Sequence, residues 1–373
     1  MVRSLTITIL RCQWLLQGFW DFYSQGVLLG KANWNSLVKN LVHRWESRTS
    51  TGALSTYGIS SETSTYATGS ASAVRGMKTG NSLSVNEKNG PTWATATRTD
   101  EYGYDEQRGY LNWWKDDGAT PKTWAYDAAG NRNGGTYDAL NRQTVYGTTA
   151  SYSVDAAGNR LSRTSGGTTV DYAWDVLNRM TLVDTPTNYD SMYQYRADGL
   201  RAAQLRQVTG SAKRVTSYRY DGQMPVEEIY QVLATGGGTT TETTRWAAGP
   251  RGTERQEVTT ATSGSSATTT DVSYPLYDAH GNAFAHIRRD SGNPGWYVPL
   301  TANDVRSFDP WGNVTSSPGF MAGAQGGAKQ AYVGSLGHRK DDETGLVYMR
   351  ARYYDPQVGR FTSEDPAMHG ENW

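Results

Sequence analysis

The sequence of 373 residues has one cysteine, Cys12, and only 6 phenylalanines beside 24 tyrosines and 13 tryptophans. A single cysteine excludes an intrachain disulfide. Neither sign of charge is in excess, because 36 basic residues balance 36 acidic ones, and this argues against a nucleic-acid partner. The longest apolar runs are too short to span a bilayer, and the start of the chain, Met1 to Leu10, makes a poor signal peptide.

The residues that are abundant favour many short strands. Tyrosine, tryptophan and threonine suit a pleated, half-exposed surface, while the 41 glycines, with asparagine and aspartate, suit the turns between strands. One stretch differs, because apolar residues fall at helical spacing from Asn35 to Glu46. The sequence therefore predicts an all-β protein with one short amphipathic helix near its start.

A dipeptide repeat organises most of the chain. An aromatic residue or valine precedes aspartate at Tyr126-Asp127, Tyr137-Asp138, Val154-Asp155, Trp174-Asp175, Tyr220-Asp221, Tyr277-Asp278, Phe308-Asp309 and Tyr354-Asp355, with Tyr195-Arg196 as a variant. Asp155 and Asp175 are 20 residues apart, which is room for two strands and two turns.

Each copy carries the residues of a tight turn. Aspartate at the first position and glycine or asparagine at the fourth fit a type I turn followed by a left-handed residue. The turn residues predicted in this way are Asp127 with Gly130, Asp138 with Asn141, Asp155 with Gly158, Asp175 with Asn178, Asp278 with Gly281, Asp309 with Gly312, and Asp355 with Gly359.

The segments between these turns predict β-hairpins. Residues 165–168, Ser-Gly-Gly-Thr, indicate a two-residue hairpin turn, and Val170, Tyr172 and Trp174 alternate on the returning strand. Since one hairpin is unstable alone, neighbours must pair edge to edge into a curved or spiralling antiparallel sheet. The polar stretches 234–244 and 259–270 are predicted as loops or hairpin tips.

Two motifs give the chain a family resemblance. The segment Tyr126 to Arg132, YDAAGNR, resembles the YD repeat of Rhs proteins and Tc-toxin C subunits. Residues 342–361, DETGLVYMRARYYDPQVGRF, followed by Asp365-Pro366, are similar to the Rhs-associated core signature. The resemblance divides the chain into an unassigned start at 1–48, a YD-repeat array at 49–330 and a partial core domain at 331–373.

This resemblance implies a structural role. In Rhs proteins the hairpins form a shell around a C-terminal toxin, and the core domain closes the shell and frees the toxin by aspartyl autoproteolysis. The family's catalytic arginine and first aspartate correspond to Arg352 and Asp365. The second aspartate belongs to a DPxGL motif that would follow Trp373, so we expect no self-cleavage and no enzyme activity. The implied partners are a toxin polypeptide or neighbouring YD repeats, at the cell surface or outside the cell.

Other readings of the same residues remain open. The repeat could belong to a surface adhesion protein that binds glycans, with Trp113 and Trp114 as exposed stacking platforms, or to a fragment of an active autoprotease. The turn aspartates are expected to bond backbone amides and not calcium. No cofactor or metal is expected, because the five histidines, His43, His280, His286, His338 and His369, lack ligand spacing and are predicted at the surface.

Overall fold

The computed structural model describes residues 19–24, 27–33, 47–49, 59–67, 76–89, 92–147, 150–186, 189–208, 212–250, 252–290, 292, 297–298, 300–301, 304–316 and 330–365. In these residues every sheet is antiparallel, no α-helix is present, and a 3-10 turn lies at Gly334–Leu336. The predicted all-β fold is therefore confirmed. The helix predicted at 35–46 lies outside the described residues, and the described part contains no helix that could cross a membrane.

Eight strands, each paired with the next, form the first sheet. They are β1 Phe19–Ser24, β2 Val27–Asn33, β3 Ser47–Thr49, β4 Ile59–Tyr66, β5 Lys78–Asn89, β6 Thr92–Tyr104, β7 Leu111–Asp116 and β8 Lys122–Thr123.

Fifteen strands form the second sheet, again in sequence order. They are β9 Gly135–Tyr137, β10 Gln143–Tyr146, β11 Ala150–Val154, β12 Arg160–Ser165, β13 Thr168–Trp174, β14 Met180–Thr185, β15 Tyr189–Tyr195, β16 Arg201–Val208, β17 Lys213–Asp221, β18 Met224–Leu233, β19 Thr239–Gly249, β20 Gly252–Thr262, β21 Thr268–Tyr277, β22 Ala283–Arg289 and β23 Tyr297–Val298.

Two small sheets follow. One pairs β24 Ser307–Phe308 with β25 Val314–Ser316, and the other contains β26 Arg339–Lys340, β27 Val347–Met349, β28 Arg352–Asp355 and β29 Arg360–Phe361. We call residues 330–365 the C-terminal segment.

The aspartate of a YD turn closes the turn with its own carboxylate. Asp127 accepts hydrogen bonds from the backbone N–H of Ala129 at 2.9 Å and of Asn131 at 2.8 Å. The fourth residue, Gly130, has a φ of 83°, a conformation that glycine and asparagine adopt at the lowest cost. The same pair of carboxylate bonds forms at Asp138, Asp175, Asp278 and Asp309.

The other predicted turn residues follow this geometry with local changes. The φ angle is 60° at Asn141, 79° at Gly158, 57° at Asn178, 87° at Gly281, 90° at Gly312 and 66° at Gly359. The turn at Asp355 is one residue longer, since the Gly359 N–H donates to the Asp355 carbonyl. Tyr220-Asp221 begins a different, two-residue turn that leads directly into Met224.

Asparagine side chains link neighbouring turns. Asn131 Nδ2 donates to Asn141 Oδ1 at 3.0 Å, and Asn159 Nδ2 donates to Asn178 Oδ1 at 2.9 Å. In both pairs the donor follows a glycine turn, and the acceptor is the left-handed asparagine of the next turn along the chain. The turns along this edge of the sheets are therefore joined laterally, and we call this edge the turn row.

Arginine side chains make the alternate links of the turn row. Arg142 donates to the carbonyl of Asp155 at 2.9 Å, and Arg179 donates to the carbonyl of Arg196 at 3.3 Å. Arg108 reaches the carbonyl of Asp127 in the same direction, from a turn at 105–109 that the sequence prediction missed. Each turn is thus tied to the turn that follows it.

The aromatic residue before the turn forms a hydrogen bond through the polar group of its side chain. Its hydroxyl or indole N–H donates to a backbone carbonyl near the start of an earlier strand, at distances of 2.6 to 3.0 Å. The pairs are Tyr104 to Lys78, Tyr126 to Leu111, Trp174 to Arg160, Tyr195 to Met180, and Tyr220 to Arg201. Phenylalanine has no donor for this bond, and this explains its scarcity in the repeat.

Apolar packing brings distant strands together. Leu83 and Val85 of β5 share a buried cluster with Tyr274, Phe284 and other residues of β21, β22 and the loop after β23. The last strands of the second sheet therefore return to the first sheet. A second cluster joins β13 to β15 with Leu346, Tyr348 and Tyr353, and a third joins Ala150 and Tyr152 with Val358. The C-terminal segment thus packs on one face of the second sheet.

One local prediction needs correction in part. The polar stretches at 234–244 and 259–270, predicted as loops or hairpin tips, contain hairpin tips at 234–238 and 263–267. The rest of both stretches is strand, because Thr239–Gly249, Gly252–Thr262 and Thr268–Tyr277 pair in register. Threonine is a good strand former, so polarity was a misleading signal. The hairpin predicted at 165–168 is present, with Ser165 opposite Thr168.

The link between turns can be measured at Asn178. Replacement by alanine should lower the free energy of unfolding by about 1–2 kcal/mol from the left-handed backbone alone, with the loss of the bond from Asn159 in addition. Replacement by glycine removes only that bond and should cost about 1 kcal/mol.

Urea unfolding of N178A and N178G beside the native chain separates the two terms. An N178G chain as stable as the native one would show that the bond between the turns contributes nothing.

Candidate functional site

Three arginines occupy equivalent places in the repeat. Arg132, Arg160 and Arg201 each stand five positions after the first residue of a turn, where the returning strand begins. Their exposed fractions are only 8%, 5% and 0%. Arginine is almost never buried without a partner, so each side chain must be compensated within the fold.

Arg201 is the most buried of the three. Its guanidinium donates to both carboxylate oxygens of Asp341, at 2.6 and 3.1 Å, and the Asp341 side chain is also 0% exposed. Four tyrosine rings surround it, with their centroids 4.5 Å away at Tyr348, 4.8 Å at Tyr218, 5.3 Å at Tyr193 and 5.9 Å at Tyr353. Burial lowers the pKa of Arg201, but the charge of Asp341 outweighs this, so the pKa lies well above its usual value.

The other two arginines bind the same segment further along. Arg160 pairs with Asp355 at 2.7 Å and lies over the ring of Tyr152 at 4.5 Å. Arg132 donates to the carbonyl of Val358 at 2.5 Å and lies over the indole of Trp311 at 4.3 Å. The three contacts join residues 140, 195 and 226 positions apart in the sequence. The arginines therefore hold the C-terminal segment on the sheet, and we call them the docking arginines.

Further ion pairs extend this interface. Arg206 of β16 pairs with Glu343 at 2.6 Å, and Arg339 of the C-terminal segment pairs with Glu228 of β18. A cavity of about 20 Å³ lies between the second sheet and the C-terminal segment, and Arg201, Tyr348 and Arg350 are among the residues that line it. That volume holds about one water molecule, so the interface is a docking surface and this cavity is not a ligand pocket.

The structure brings together the two residues that resemble the autoprotease motif. Arg352 pairs with Asp365 at 2.8 Å, and both side chains are half-buried. The guanidinium also lies 3.7 Å from the centre of the Phe361 ring. Partial burial lowers the pKa of Arg352, and Asp365 opposes that shift. The pair contains one carboxylate, whereas aspartyl hydrolysis uses two that share a proton.

The exposed tryptophan platform expected for glycan binding is wrong for Trp114. Its side chain is 2% exposed, and its indole N–H donates to Asp100 at 2.9 Å. The surface position predicted for the histidines is wrong for His286, which is 2% exposed beside Ser273. His43 and His369 lie outside the described residues, in which no group of three or more side chains is placed to hold a metal.

Sequence reasoning missed the docking arginines as a group. Arg132 stood inside the quoted motif YDAAGNR, yet its charge gave no reason to place it in the interior. The available signal was positional, since Arg160 and Arg201 recur at the same offset from their turns. The partner Asp341 carried no local signal, because its contact spans 140 residues.

The chain has distant relatives among curated proteins. It is 27% identical over 256 residues to the tRNA3(Ser)-specific nuclease WapA of Bacillus spizizenii, across 65% of this chain and 9% of the relative. The tRNA nuclease WapA of Bacillus subtilis aligns with the same identity and coverage. The chain thus spans less than a tenth of the length of these relatives. A scan against models of known families finds no match.

Two solved structures align with most of this chain at low similarity. A crystal structure of TcdB2-TccC3-TEV aligns with 94% of this chain and 20% of its own, at 15% identity and a TM-score of 0.38. The Tc holotoxin pore of Photorhabdus luminescens aligns with 94% of this chain and 25% of its own, at 13% identity and a TM-score of 0.24.

Removing one partner of the buried ion pair should undock the C-terminal segment. Arg201→Gln leaves Asp341 buried without its counter-charge and should lower the free energy of unfolding by about 3–5 kcal/mol. The matched control is Arg196→Gln, because Arg196 pairs with Asp198 at 2.8 Å with both side chains exposed by more than 40%, and such a pair contributes about 0–1 kcal/mol.

Urea unfolding and hydrogen exchange of residues 339–361 report the two effects. Equal costs for R201Q and R196Q would contradict the docking role of Arg201.

Stability should also depend on the protonation of His286. Burial, with the charges of Arg306 and Arg288, lowers its pKa from 6.5 to about 3. His286 takes up a proton near pH 6.5 in the unfolded chain but stays neutral at that pH in the folded chain. Its contribution to the free energy of unfolding is therefore fully present above pH 6.5 and is lost as the pH falls toward 3. The loss should be about 1.4 kcal/mol per pH unit. His286→Asn can keep the bond to Ser273 without titrating, and it should remove this slope.

Asp100 provides a control, because its effect on the free energy of unfolding changes with pH in the opposite direction to that of His286. Burial raises its pKa from 3.8 to about 6, although the bond from Trp114 opposes the shift. Its contribution is therefore present at low pH and is lost as pH rises toward 6. Urea unfolding between pH 4 and 7 should show a flatter rise of stability with pH for H286N and a steeper one for D100N. Parallel curves for both variants would contradict these assignments.

Proposed function

We propose that the chain is a stretch of an Rhs-type β-shell whose function is to surround another polypeptide. The observation that carries the proposal is the docking of the C-terminal segment by arginines of three different YD units. Buried ion pairs fix the C-terminal segment against the long hairpin sheet. In the proposed shell, these contacts hold the enclosure in one defined shape. A smooth open sheet would not need these contacts.

The sequence resemblance supports the same role. The YD turns and the core signature resemble those of Rhs proteins, and the chain is 27% identical to WapA proteins over 256 residues. Those relatives are named as tRNA nucleases, and this chain covers 9% of their length. We assign the shell role to the hairpin array and propose no nuclease activity for it. The proposed partner is a toxin polypeptide, and the proposed location is outside the cell or at its surface.

Protection of an attached polypeptide tests the proposal. An unstructured passenger fused after Trp373 should be cut by a dilute protease several-fold more slowly on the native chain than on R201Q, because the proposed shell loses part of its wall when the C-terminal segment undocks. The R196Q fusion should match the native fusion. Identical cleavage of all three passengers, measured by gel under conditions where each chain remains folded, would refute the enclosure.

We further propose that Arg352 and Asp365 have a structural role in this chain. Their pair joins β28 to the residues after β29, and the stacking of Arg352 on Phe361 fixes the same corner. Kept without protease at pH 4 to 7, the native fusion should retain its full mass and should match an Asp365→Asn fusion. A product that mass spectrometry finds only with Asp365 present would establish self-cleavage instead.

A further inference from the structure

The turn row is covered at one end by other parts of the chain. Arg350 of the C-terminal segment donates to the carbonyl of Gln223 in the turn at 221–224. At the turn 278–282, the backbone N–H of Ala279 donates to the Glu62 carboxylate of β4 at 2.7 Å. Here an extended strand with a buried glutamate lies against the tip of a YD turn.

The middle of the turn row is open and apolar. The turn tips there are Ala139-Leu140, Ala156-Ala157 and Val176-Leu177. Leu140 is 56% exposed, Leu177 64% and Val176 98%. Adjacent hairpin turns are two strands apart, roughly 10 Å, so these tips form one continuous surface. We call Leu140, Val176 and Leu177 with the turns that carry them the open tips.

The backbone of the open tips offers donors without acceptors. The N–H groups of Ala139 and Val176 occupy the position that Ala279 has in its turn, and neither donates a hydrogen bond within the part of the chain that the structure describes. The acceptors nearby are already used, because the turn carboxylates bind their own backbone. A ligand that brings hydrogen-bond acceptors can therefore pair with these N–H groups.

A carboxylate is the acceptor that the same row already uses. Glu62 binds the tip at Ala279, and the side chain of Glu364 lies directly against Gly158, in the turn between the two open ones. Glu62 belongs to the strand β4, whereas Glu364 lies in the irregular stretch after β29. Charge-assisted bonds to backbone N–H groups are stronger than neutral ones, so an acidic strand gains more at these tips than a neutral strand.

We propose that the open tips bind an extended acidic segment of polypeptide, with a glutamate placed as Glu62 is in β4 and small polar residues on either side. The carboxylate accepts from the N–H of Ala139 or Val176, and the stem of the glutamate covers Leu140 or Leu177. This surface is separate from the docking arginines and goes beyond the proposed shell role.

A peptide of residues 57–68, which contains β4, is the probe. Labelled with a fluorophore and titrated with the full chain, it should bind roughly tenfold more tightly than the same peptide with Glu62→Gln. Fluorescence anisotropy measures both affinities. Equal affinity of the two peptides, or no binding of either, overturns the proposal.

Two matched variants locate the binding. V176D/L177D and V176K/L177K both remove the apolar tip, and circular dichroism should show that both fold, since these side chains are mostly exposed. The aspartate variant should lose the acidic peptide, and the lysine variant should keep it. Loss in both variants would mean a merely apolar contact. Unchanged binding in the aspartate variant would place the peptide elsewhere, for instance at Ala279, and either result overturns the proposal.

Discussion

The fold depends on burying arginine side chains inside a β-sheet protein. A guanidinium removed from water costs several kcal/mol unless its charge and its donors are satisfied. Arg201 balances its charge with both oxygens of Asp341 and the faces of tyrosine rings, while its Nε finds no hydrogen-bond partner in the described residues. Since Asp341 lies in another sheet region, the requirement cannot be met locally, and the C-terminal segment must be in place before the hairpins around it reach their final stability.

The tyrosines of the repeat likewise combine an apolar ring, which is buried, with a polar hydroxyl, which forms a hydrogen bond. A tyrosine before several of the turns buries its ring and donates from its hydroxyl to an earlier strand, as Tyr195 does to Met180. The ring also receives the arginine of a neighbouring turn, as Arg179 lies 5.0 Å from the Tyr195 centroid. One side chain thus provides area, a hydrogen bond and a cation site. The low phenylalanine content follows from this use.

The sequence predicted the local geometry well and the long-range contacts poorly. The turns at Asp127 and Asp175 could be predicted because their residues bond their own backbone. The pair of Arg201 with Asp341 could not, because charged residues on alternating strands look like surface positions and nothing local marks a partner 140 residues away. The strands at 239–244 and 268–270 were missed for the opposite reason, since threonine-rich segments pair in register without an apolar pattern.

Arg352 and Asp365 show how far the sequence alone could predict the residues of the candidate site. Family resemblance selected both residues, and the structure places them in one ion pair. The geometry of that ion pair is the basis on which we propose a structural role for it. The docking arginines had no such guide, although their spacing from the turns was visible in the printed sequence.

The directional links along the turn row restrict how such an array can grow. An asparagine after a glycine turn needs the left-handed asparagine of the next turn as its acceptor, and the arginine that follows that asparagine needs a backbone carbonyl beyond it. Two kinds of turn therefore alternate from Asp127 to Asp175. Inserting a single unit would set two glycine turns side by side and leave an asparagine amide without its acceptor, so duplication in steps of two units preserves every link.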